Sequence, residues 1–354
     1  MKKKKVIKTS LCVLLGIIIL IIVGLTCKNK FVNTSYSQLN NTDKKMLTEY
    51  NRLYEQTTDK VLWEKFDLAD KSILAMSKDS LDTYLINPKV IPNNLLSEKI
   101  DMPKEFKLQS VYRIAPIVPQ TLTIRLNIGS NFSTINNKYT VLRNDVYYIK
   151  YDKDTSFEKP NTSNHFTPFL AHESFHYYMQ SEWKLSKISE NELNKDDLDM
   201  IKEEYQILDN INTELQSHKD HNKLNDYAKQ YVDIVSKRIQ NNKEYVTSEL
   251  SQETAEGTAQ YLTIKTSKLV GYDYGIMYFD NVTNVPLSDI FKQIDAGNFS
   301  VNYLYDQMTY QTGALLCFLF DELEIPNWQD KLNSQTLENP IYLYDILKEY
   351  VETL

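Results

Sequence analysis

The N-terminal segment constrains the fold of this chain more than any other feature. Residues 11–27 carry no charge, and only glycine, threonine and cysteine dilute their aliphatic side chains. As a helix at about 1.5 Å per residue, this segment would reach about 26 Å, enough for the hydrocarbon core of a bilayer. The preceding sequence, MKKKKVIKTS, is rich in lysine and has no acidic residue. Together these features predict a membrane-spanning helix.

The distribution of lysine predicts the orientation of that helix. Lysines are denser before the apolar segment than after it, which favours a cytoplasmic segment at residues 1–10 and export of the remainder. A cleaved signal peptide is the alternative, but GLTCKNKF offers no A-x-A-like cleavage site. Thr26 before Cys27 does not fit a lipoprotein signal either. We therefore expect an uncleaved signal-anchor at 11–27, with the rest on the extracytoplasmic side of the cell membrane.

The exported part is acidic and poor in cysteine. Without the seven lysines of residues 1–30, 33 Lys and Arg of the total of 40 remain against 47 Asp and Glu, a net charge of −14. Such a surface disfavours a nucleic-acid partner. Cys317 is the only cysteine beyond the apolar segment. No disulfide can form within one exported chain, so the fold must depend on its core or on a metal.

The exported sequence changes in pattern near residue 160. Residues 28–41 are polar and indicate a linker. Residues 42–160 begin with a helical pattern, capped by Thr42 or Asp43, and continue with β-rich runs at 71–77, 120–128 and 139–152. In residues 161–354, helices are predicted near 168–183, 195–216, 222–241, 245–268, 286–295, 301–323 and 340–353. The predicted fold class is α+β: a small, mostly antiparallel sheet in the N-terminal half and a helical C-terminal half.

The stretch TPFLAHESFHYYMQ, at residues 167–180, contains two of the five histidines of the chain. His172 and His176 fall one turn apart on one helix face, so both imidazoles can reach one metal ion. Glu173 is placed to hold a water rather than the metal, as in the H-E-x-x-H arrangement. The pattern therefore predicts a catalytic metal site.

Local signals support a helix here and define the alternative. Thr167 can cap the helix, and Pro168 occupies the first turn, where its missing N–H costs nothing. The alternative is a helix that carries ordinary surface histidines. His218 and His221, in the charged run SHKDHNK, are predicted to be of that solvated kind.

A catalytic zinc site requires a third protein ligand. The predicted helix VTSELSQETAEGTAQYLTIKTSKL offers Glu249, Glu253 and Glu256 along one stripe, followed by Gln260. Periodicity alone does not choose among them, and a solvated acidic face is the alternative. Gly257 within this helix costs about 1 kcal/mol relative to alanine, which indicates close packing against another helix.

The H-E-x-x-H stretch followed by E-G-x-A-x-Y resembles the gluzincin zinc metallopeptidases, the peptidase MA-like group related to thermolysin and aminopeptidase N. This resemblance implies a zincin-like fold and one Zn²⁺ per chain, bound by His172, His176 and Glu256. The later stretch MTYQTGALLCFLFDEL resembles the Y-x-x-G-A helix of that group. It implies that Tyr310 donates a hydrogen bond to the oxyanion in the transition state. The resemblance covers roughly residues 140–323.

The chain also departs from that group. Residues 177–255 separate the two motifs by several times the spacing usual in aminopeptidase N relatives, which indicates a helical insertion. Ala255 stands where an asparagine precedes the E-G pair, and Gln260 stands where thermolysin-like enzymes have a carboxylate. The absence of a G-x-M-E-N motif, which anchors a free amine in that group, disfavours an aminopeptidase.

These features predict a membrane-anchored zinc metallopeptidase whose Glu173 activates a zinc-bound water to hydrolyse peptide bonds. Its partners would be the membrane and a peptide or protein substrate, with the run NDVYYIKYD as an edge strand for an extended peptide. Two alternatives stay open. One is a non-catalytic surface binding protein with a structural or degenerate metal site, and the other is a zinc-dependent cell-wall amidase.

Overall fold

A computed structural model of the chain describes residues 2–57, 61–93, 95–159, 164–185, 193–276 and 285–354. Helix α1, Lys2–Phe31, contains the predicted membrane segment. Its part Cys12–Phe31 is long and apolar enough to cross a membrane, as a signal anchor or a signal sequence would be. The side chains of the lysine block at residues 2–5 lie outside the described part of the chain.

Six strands form one mixed sheet. Their bounds are β1 Ile73–Ser77, β2 Thr83–Ile86, β3 Ser97–Lys99, β4 Val111–Ile114, β5 Tyr139–Val141 and β6 Asn144–Tyr151. Their spatial order is β3-β4-β2-β1-β6-β5. Within the described strands, β1 and β6 run parallel and the other four pairs are antiparallel. The prediction of a small, mostly antiparallel sheet is therefore confirmed.

Strand β6 is not a free edge, so the prediction that it binds an extended peptide is wrong. Its residues pair with β5 at one end and with β1 at the other. Where β5 stops, the segment before it takes over: Ile149 forms a bridge with Phe132, and Lys150 N–H donates to Asn131 O at 2.7 Å. Its backbone groups are therefore already engaged on both sides.

One face of the sheet is joined to helix α2, Asn41–Thr57, by a buried carboxylate. The hydroxyl groups of Tyr84 and Tyr151 each donate to Asp43 at 2.6 Å. Burial raises the pKa of Asp43, and these hydrogen bonds oppose that increase. The other face packs an apolar core against helix α3, Pro119–Leu126, formed by Leu74, Met76, Leu85, Ile114, Val118, Ile124, Val141, Val146 and Tyr148.

Two local predictions in this half are wrong. Residues 120–128 were predicted as a strand, but 120–126 belong to helix α3, because Pro119 at its first turn favours a helix and burial falls at Thr121 and Ile124, three residues apart. Asn40, rather than Thr42 or Asp43, caps helix α2, since its side-chain oxygen accepts from the Asp43 N–H at 2.9 Å. Asp43 is engaged by the two tyrosines instead.

The C-terminal half is helical, which confirms the α+β class. The helices are α4 Phe166–Met179, α5 Lys195–Gln216, α6 His221–Asn241, α7 Lys243–Val270, α8 Ile290–Asp295, α9 Thr309–Glu322, α10 Trp328–Asn333 and α11 Leu343–Val351. A π-helical turn, Leu304–Met308, precedes α9 where one regular helix was predicted.

The chain forms two compact units. The sheet unit comprises Met1–Lys60, Asp67–Lys159 and His165–Thr167. The helical unit comprises Val61–Phe66, Pro160–Asn164 and Pro168–Leu354.

Helices α7 and α9 meet backbone to backbone at two glycines. A Cβ atom added to Gly257 would overlap the backbone of Gly313 and lie 3.0 Å from Ala314 N. One added to Gly313 would overlap the carbonyl oxygen of Glu253 and lie 2.8 Å from the Gly257 Cα. The close packing that the sequence predicted for Gly257 is confirmed.

We expect Gly313→Ala to lower the free energy of unfolding by about 1–3 kcal/mol, because rigid backbone atoms must move to admit one methyl group. Gly275→Ala is the matched control, since its Cβ would meet no atom within 4 Å. Thermal or denaturant unfolding of the purified chain in detergent measures both. Equal stability of the two variants would contradict the tight contact.

Candidate metal centre

Helix α4 presents its two histidines from a well-packed base. It begins at Phe166, so Thr167 lies inside the first turn and is not the cap that the sequence predicted. Phe175, on the buried side of the helix, contacts the Trp63 ring edge-on with ring centroids 4.9 Å apart, and Phe66 packs against it at 5.4 Å. This aromatic packing fixes the rotation of α4 within the helical unit.

The structure brings His172, His176 and Glu256 together. One ligand atom from each lies within 4.8 Å of the others, a group that could hold a metal ion. The two histidine Nε2 atoms are 3.1 Å apart. Glu256 Oε2 lies 3.4 Å from His172 Nε2 and 3.2 Å from His176 Nε2. Helix α7 therefore supplies the third member, and Glu256 is the acidic residue that reaches the histidines.

Each imidazole is held at its other nitrogen by a neutral side chain. His176 Nδ1 lies 2.6 Å from Gln180 Oε1, and the Gln180 amide donates to Ala255 O and Thr258 Oγ1 at 2.9 and 3.0 Å. His172 Nδ1 lies 3.1 Å from Thr263 Oγ1. An amide oxygen only accepts, so the His176 Nδ1–H donates to Gln180, and the Nε2 atom is the one that faces Glu256 and His172.

Thr263 plays the corresponding part for His172. Its hydroxyl donates to Ala259 O at 3.1 Å, so its oxygen can accept a hydrogen bond from the His172 Nδ1–H. Neither Gln180 nor Thr263 was predicted from the sequence as a partner of the histidines. The spacing could have identified Gln180, because it lies four residues after His176 on the same helix face. Thr263 has no such signal, since only the tertiary contact of α4 with α7 brings it to His172.

The three facing atoms fit a cation. Two imidazole nitrogens and a carboxylate oxygen converge, and Glu256 Oε2 is buried without a hydrogen-bond partner among the described residues. Four ligands at about 2.0–2.1 Å around a tetrahedral zinc ion lie roughly 3.3 Å from one another. The observed separations of 3.1, 3.2 and 3.4 Å match that spacing. The donor set, two nitrogens and one oxygen, is one that zinc accepts.

Burial and the charges at the site shift the pKa values of three groups, and a bound metal ion would have to displace the proton that Glu256 favours on His176. Burial would raise the pKa of Glu256, but the adjacent His176 and His172 hold it well below its usual range. Burial would lower the pKa of His176, but the charge of Glu256 raises it to about 9. Burial raises the pKa of Glu173, while the two histidines oppose that increase. Glu173 is thus a stronger base than an exposed glutamate.

Tyr310 lies beside the same group. Its ring stacks on His172 with ring centroids 5.9 Å apart and an angle of 4° between the planes. Burial raises the pKa of its hydroxyl, and the neighbouring charge of Glu256 raises it further. The phenol is therefore a neutral hydrogen-bond donor at physiological pH. The three residues of the H-E-x-x-H stretch, Glu256 and Tyr310 thus lie in one region of the helical unit.

The other two candidate glutamates of α7, Glu249 and Glu253, are engaged elsewhere, so the solvated acidic face proposed as an alternative is wrong. Glu249 is buried in an ion pair with Arg238, which also binds Glu204. Glu253 is 4% exposed and accepts from the Tyr231 hydroxyl at 3.4 Å. Gln260 is also buried, and its amide nitrogen has no hydrogen-bond partner within the described part of the chain.

The two histidines predicted to be solvated are indeed at the surface. His218 and His221 are exposed, and His221 Nε2 lies 3.6 Å from a carboxylate oxygen of Glu322. The interpretation of these histidines as solvated residues is confirmed.

Comparison of the chain with protein-family models, with curated proteins and with solved structures finds no significant match. The case for a metal centre therefore rests on the geometry of this chain alone.

Proposed function

We propose that this protein is a membrane-anchored, extracytoplasmic zinc metallopeptidase that hydrolyses peptide bonds. The observation that carries the proposal is the convergence of His172, His176 and Glu256 on one point, next to the general-base candidate Glu173. A purely structural metal site closes all four ligand positions and has no use for a base. Three protein ligands and an adjacent carboxylate are typical of a catalytic site.

His172, His176 and Glu256 would hold the ion, each through the atom that already faces the other two. A zinc ion bound there supplies a Lewis acid that polarises the scissile carbonyl and makes a water molecule more acidic. The protein keeps the imidazoles oriented through Gln180 and Thr263. Such partners of metal ligands commonly contribute 10-fold to 100-fold in metal affinity or activity.

Glu173 would act as the general base and then as the general acid. Its carboxylate takes a proton from the attacking water and delivers it to the leaving nitrogen as the C–N bond breaks. A raised pKa suits both steps, because the group must accept a proton and release it at a pH near neutrality.

Tyr310 would stabilise the oxyanion of the tetrahedral intermediate. A neutral phenol beside His172 and Glu256 can donate a hydrogen bond to oxygen that gains negative charge. Donors of this kind contribute about 2.7–4 kcal/mol to the stability of the transition state.

We expect Glu173→Gln to keep its zinc and to lose activity by about 10²-fold to 10⁴-fold, because the amide cannot accept the proton. Glu203→Gln, at an exposed position of helix α5, is the matched control and should retain full turnover. Hydrolysis of casein and of a mixed peptide library measures activity, and elemental analysis measures zinc. Full activity of Glu173→Gln would remove this residue from the mechanism.

The same assay separates the proposal from its alternatives. Bound zinc with no turnover of any peptide would favour a non-catalytic binding protein. Release of amines from purified peptidoglycan without casein hydrolysis would favour a cell-wall amidase.

We expect Glu256→Gln to bind zinc far more weakly, since the variant loses the charged ligand. Its melting temperature should then stop rising when zinc is added, because a ligand stabilises only the state that binds it. Glu253→Gln is the matched control, three residues earlier on the same helix and buried in the protein. Zinc stoichiometry and thermal melts on both variants measure the difference. If Glu253→Gln empties the site while Glu256→Gln does not, the ligand assignment is wrong.

A further inference from the structure

The C-terminal turn of helix α1 is fastened to the sheet by one arginine. Arg113, on strand β4, is 4% exposed. Its guanidinium donates to Asn29 O at 2.8 Å, to Asn33 O at 3.1 Å and to Val32 O, and its Nε donates to Asn29 Oδ1 at 3.2 Å. Carbonyl groups at a helix end lack partners within the helix. Arg113 satisfies several of them at once, so the end of α1 belongs to the folded sheet unit.

A second contact secures the same turn. Lys30 forms an ion pair with Glu98 and also donates to Ser97 O at 3.3 Å, both on the edge strand β3. Asn29 is 3% exposed. Residues 28–31, predicted as the start of a polar linker, are therefore an ordered attachment between the apolar helix and the sheet.

The apolar helix leaves the sheet unit at one defined end. Leu25 and Lys28 line a small cavity together with Leu81, Ile114 and Pro116. Leu81 belongs to the turn between β1 and β2, and Ile114 is the last residue of β4. Before Leu25, the described aliphatic side chains of α1 are exposed: Val13, Leu14, Leu15, Ile17, Ile18, Ile19, Leu20, Ile21, Ile22 and Val23. The turn at 78–82 therefore lies beside the point of α1 at which its exposed apolar side chains begin.

Helix α3 brings further apolar side chains to the same end. Arg125 donates to Ser77 O and Ser80 O, each at 2.9 Å, which ties the C-terminal part of α3 to the turn at 78–82. Leu126, the last residue of α3, is 76% exposed, and Ile128, just beyond the helix, is 92% exposed. Leu81, in the turn itself, is 48% exposed. We name Leu81, Leu126 and Ile128 the exit surface.

We propose that the exit surface contacts the lipid bilayer and that the sheet unit rests directly on the membrane. Exposed leucine and isoleucine at the point where a membrane-spanning helix leaves a folded unit suit the boundary between headgroups and acyl chains. The Lys78–Asp152 ion pair at this end, at 2.8 Å, suits the polar headgroup layer. Because Arg113 holds α1 to the sheet, inserting the helix also sets the depth of these three side chains.

Lipid-quenching measurements on the full chain test this proposal. A fluorophore is attached to Leu126→Cys or Ile128→Cys in a background carrying Cys12→Ser, Cys27→Ser and Cys317→Ala. Each protein is inserted into phosphatidylcholine and phosphatidylglycerol vesicles that contain phosphatidylcholine with a doxyl group high on its acyl chain. We expect quenching at both positions to be several-fold stronger than at the control position. The intact mass of each protein, measured first, must include α1.

The control is Ile91→Cys in the same background. Ile91 is 74% exposed, so it matches Ile128 in type and in accessibility. It lies at the opposite end of the sheet, because Val90 N–H donates to Asn144, the first residue of β6, whereas Lys78 N–H donates to the last residue of that strand. Equal quenching at Ile128 and Ile91, or a mature protein that lacks α1, would overturn the proposal. Equal melting temperatures of the three variants confirm that the labels leave the fold intact.

Discussion

The helical unit depends on one close approach, between the backbones of α7 and α9 at Gly257 and Gly313. No side chain fits between the two helices at this point. Glu256 directly precedes one glycine, and Tyr310 lies one helical turn before the other. The contact therefore sets the distance from a candidate metal ligand to a candidate oxyanion donor. Main-chain packing, which is far stiffer than a side chain, fixes that distance, and larger residues at these glycines would shift both groups together.

Burial and charge explain why Glu256, rather than Glu249 or Glu253, is available to the histidines. Glu249 and Glu204 flank Arg238, and loss of one partner of an ion pair buried in this way strongly destabilises the fold, because it leaves an unpaired buried charge. Burial, with the nearby charge of Glu204, raises the pKa of Glu253 to about 8, so this group is largely protonated at neutral pH. Glu256, beside the two imidazoles, stays ionised. Three glutamates of one helix, Glu249, Glu253 and Glu256, thus lie in three different electrostatic environments.

The sequence was sufficient for the parts of this protein that follow from local pattern. The period of His172 and His176 and the run of apolar residues in α1 can be read within a few residues of the chain, and the cost of Gly257 within a helix marks a close contact without naming its partner. The wrong predictions are cases where a tertiary contact or a weak local signal decides. Residues 120–128 alternate like a strand, yet Pro119 and the packing of Ile124 on the sheet make 120–126 a helix. Thr263 has no local feature that marks it as the partner of His172.

The partners of the two imidazoles distinguish this centre from one with acidic neighbours. A carboxylate that accepts from Nδ1 makes an imidazole more basic and adds negative charge near the ion. Gln180 and Thr263 are neutral, and Gln260, four residues after Glu256, is neutral as well. Glu256 is then the single anionic member of the group, so a divalent cation held there would keep more of its positive charge. That charge would favour ionisation of a nearby water, and Glu173, the carboxylate of the H-E-x-x-H stretch, would be the group placed to receive its proton.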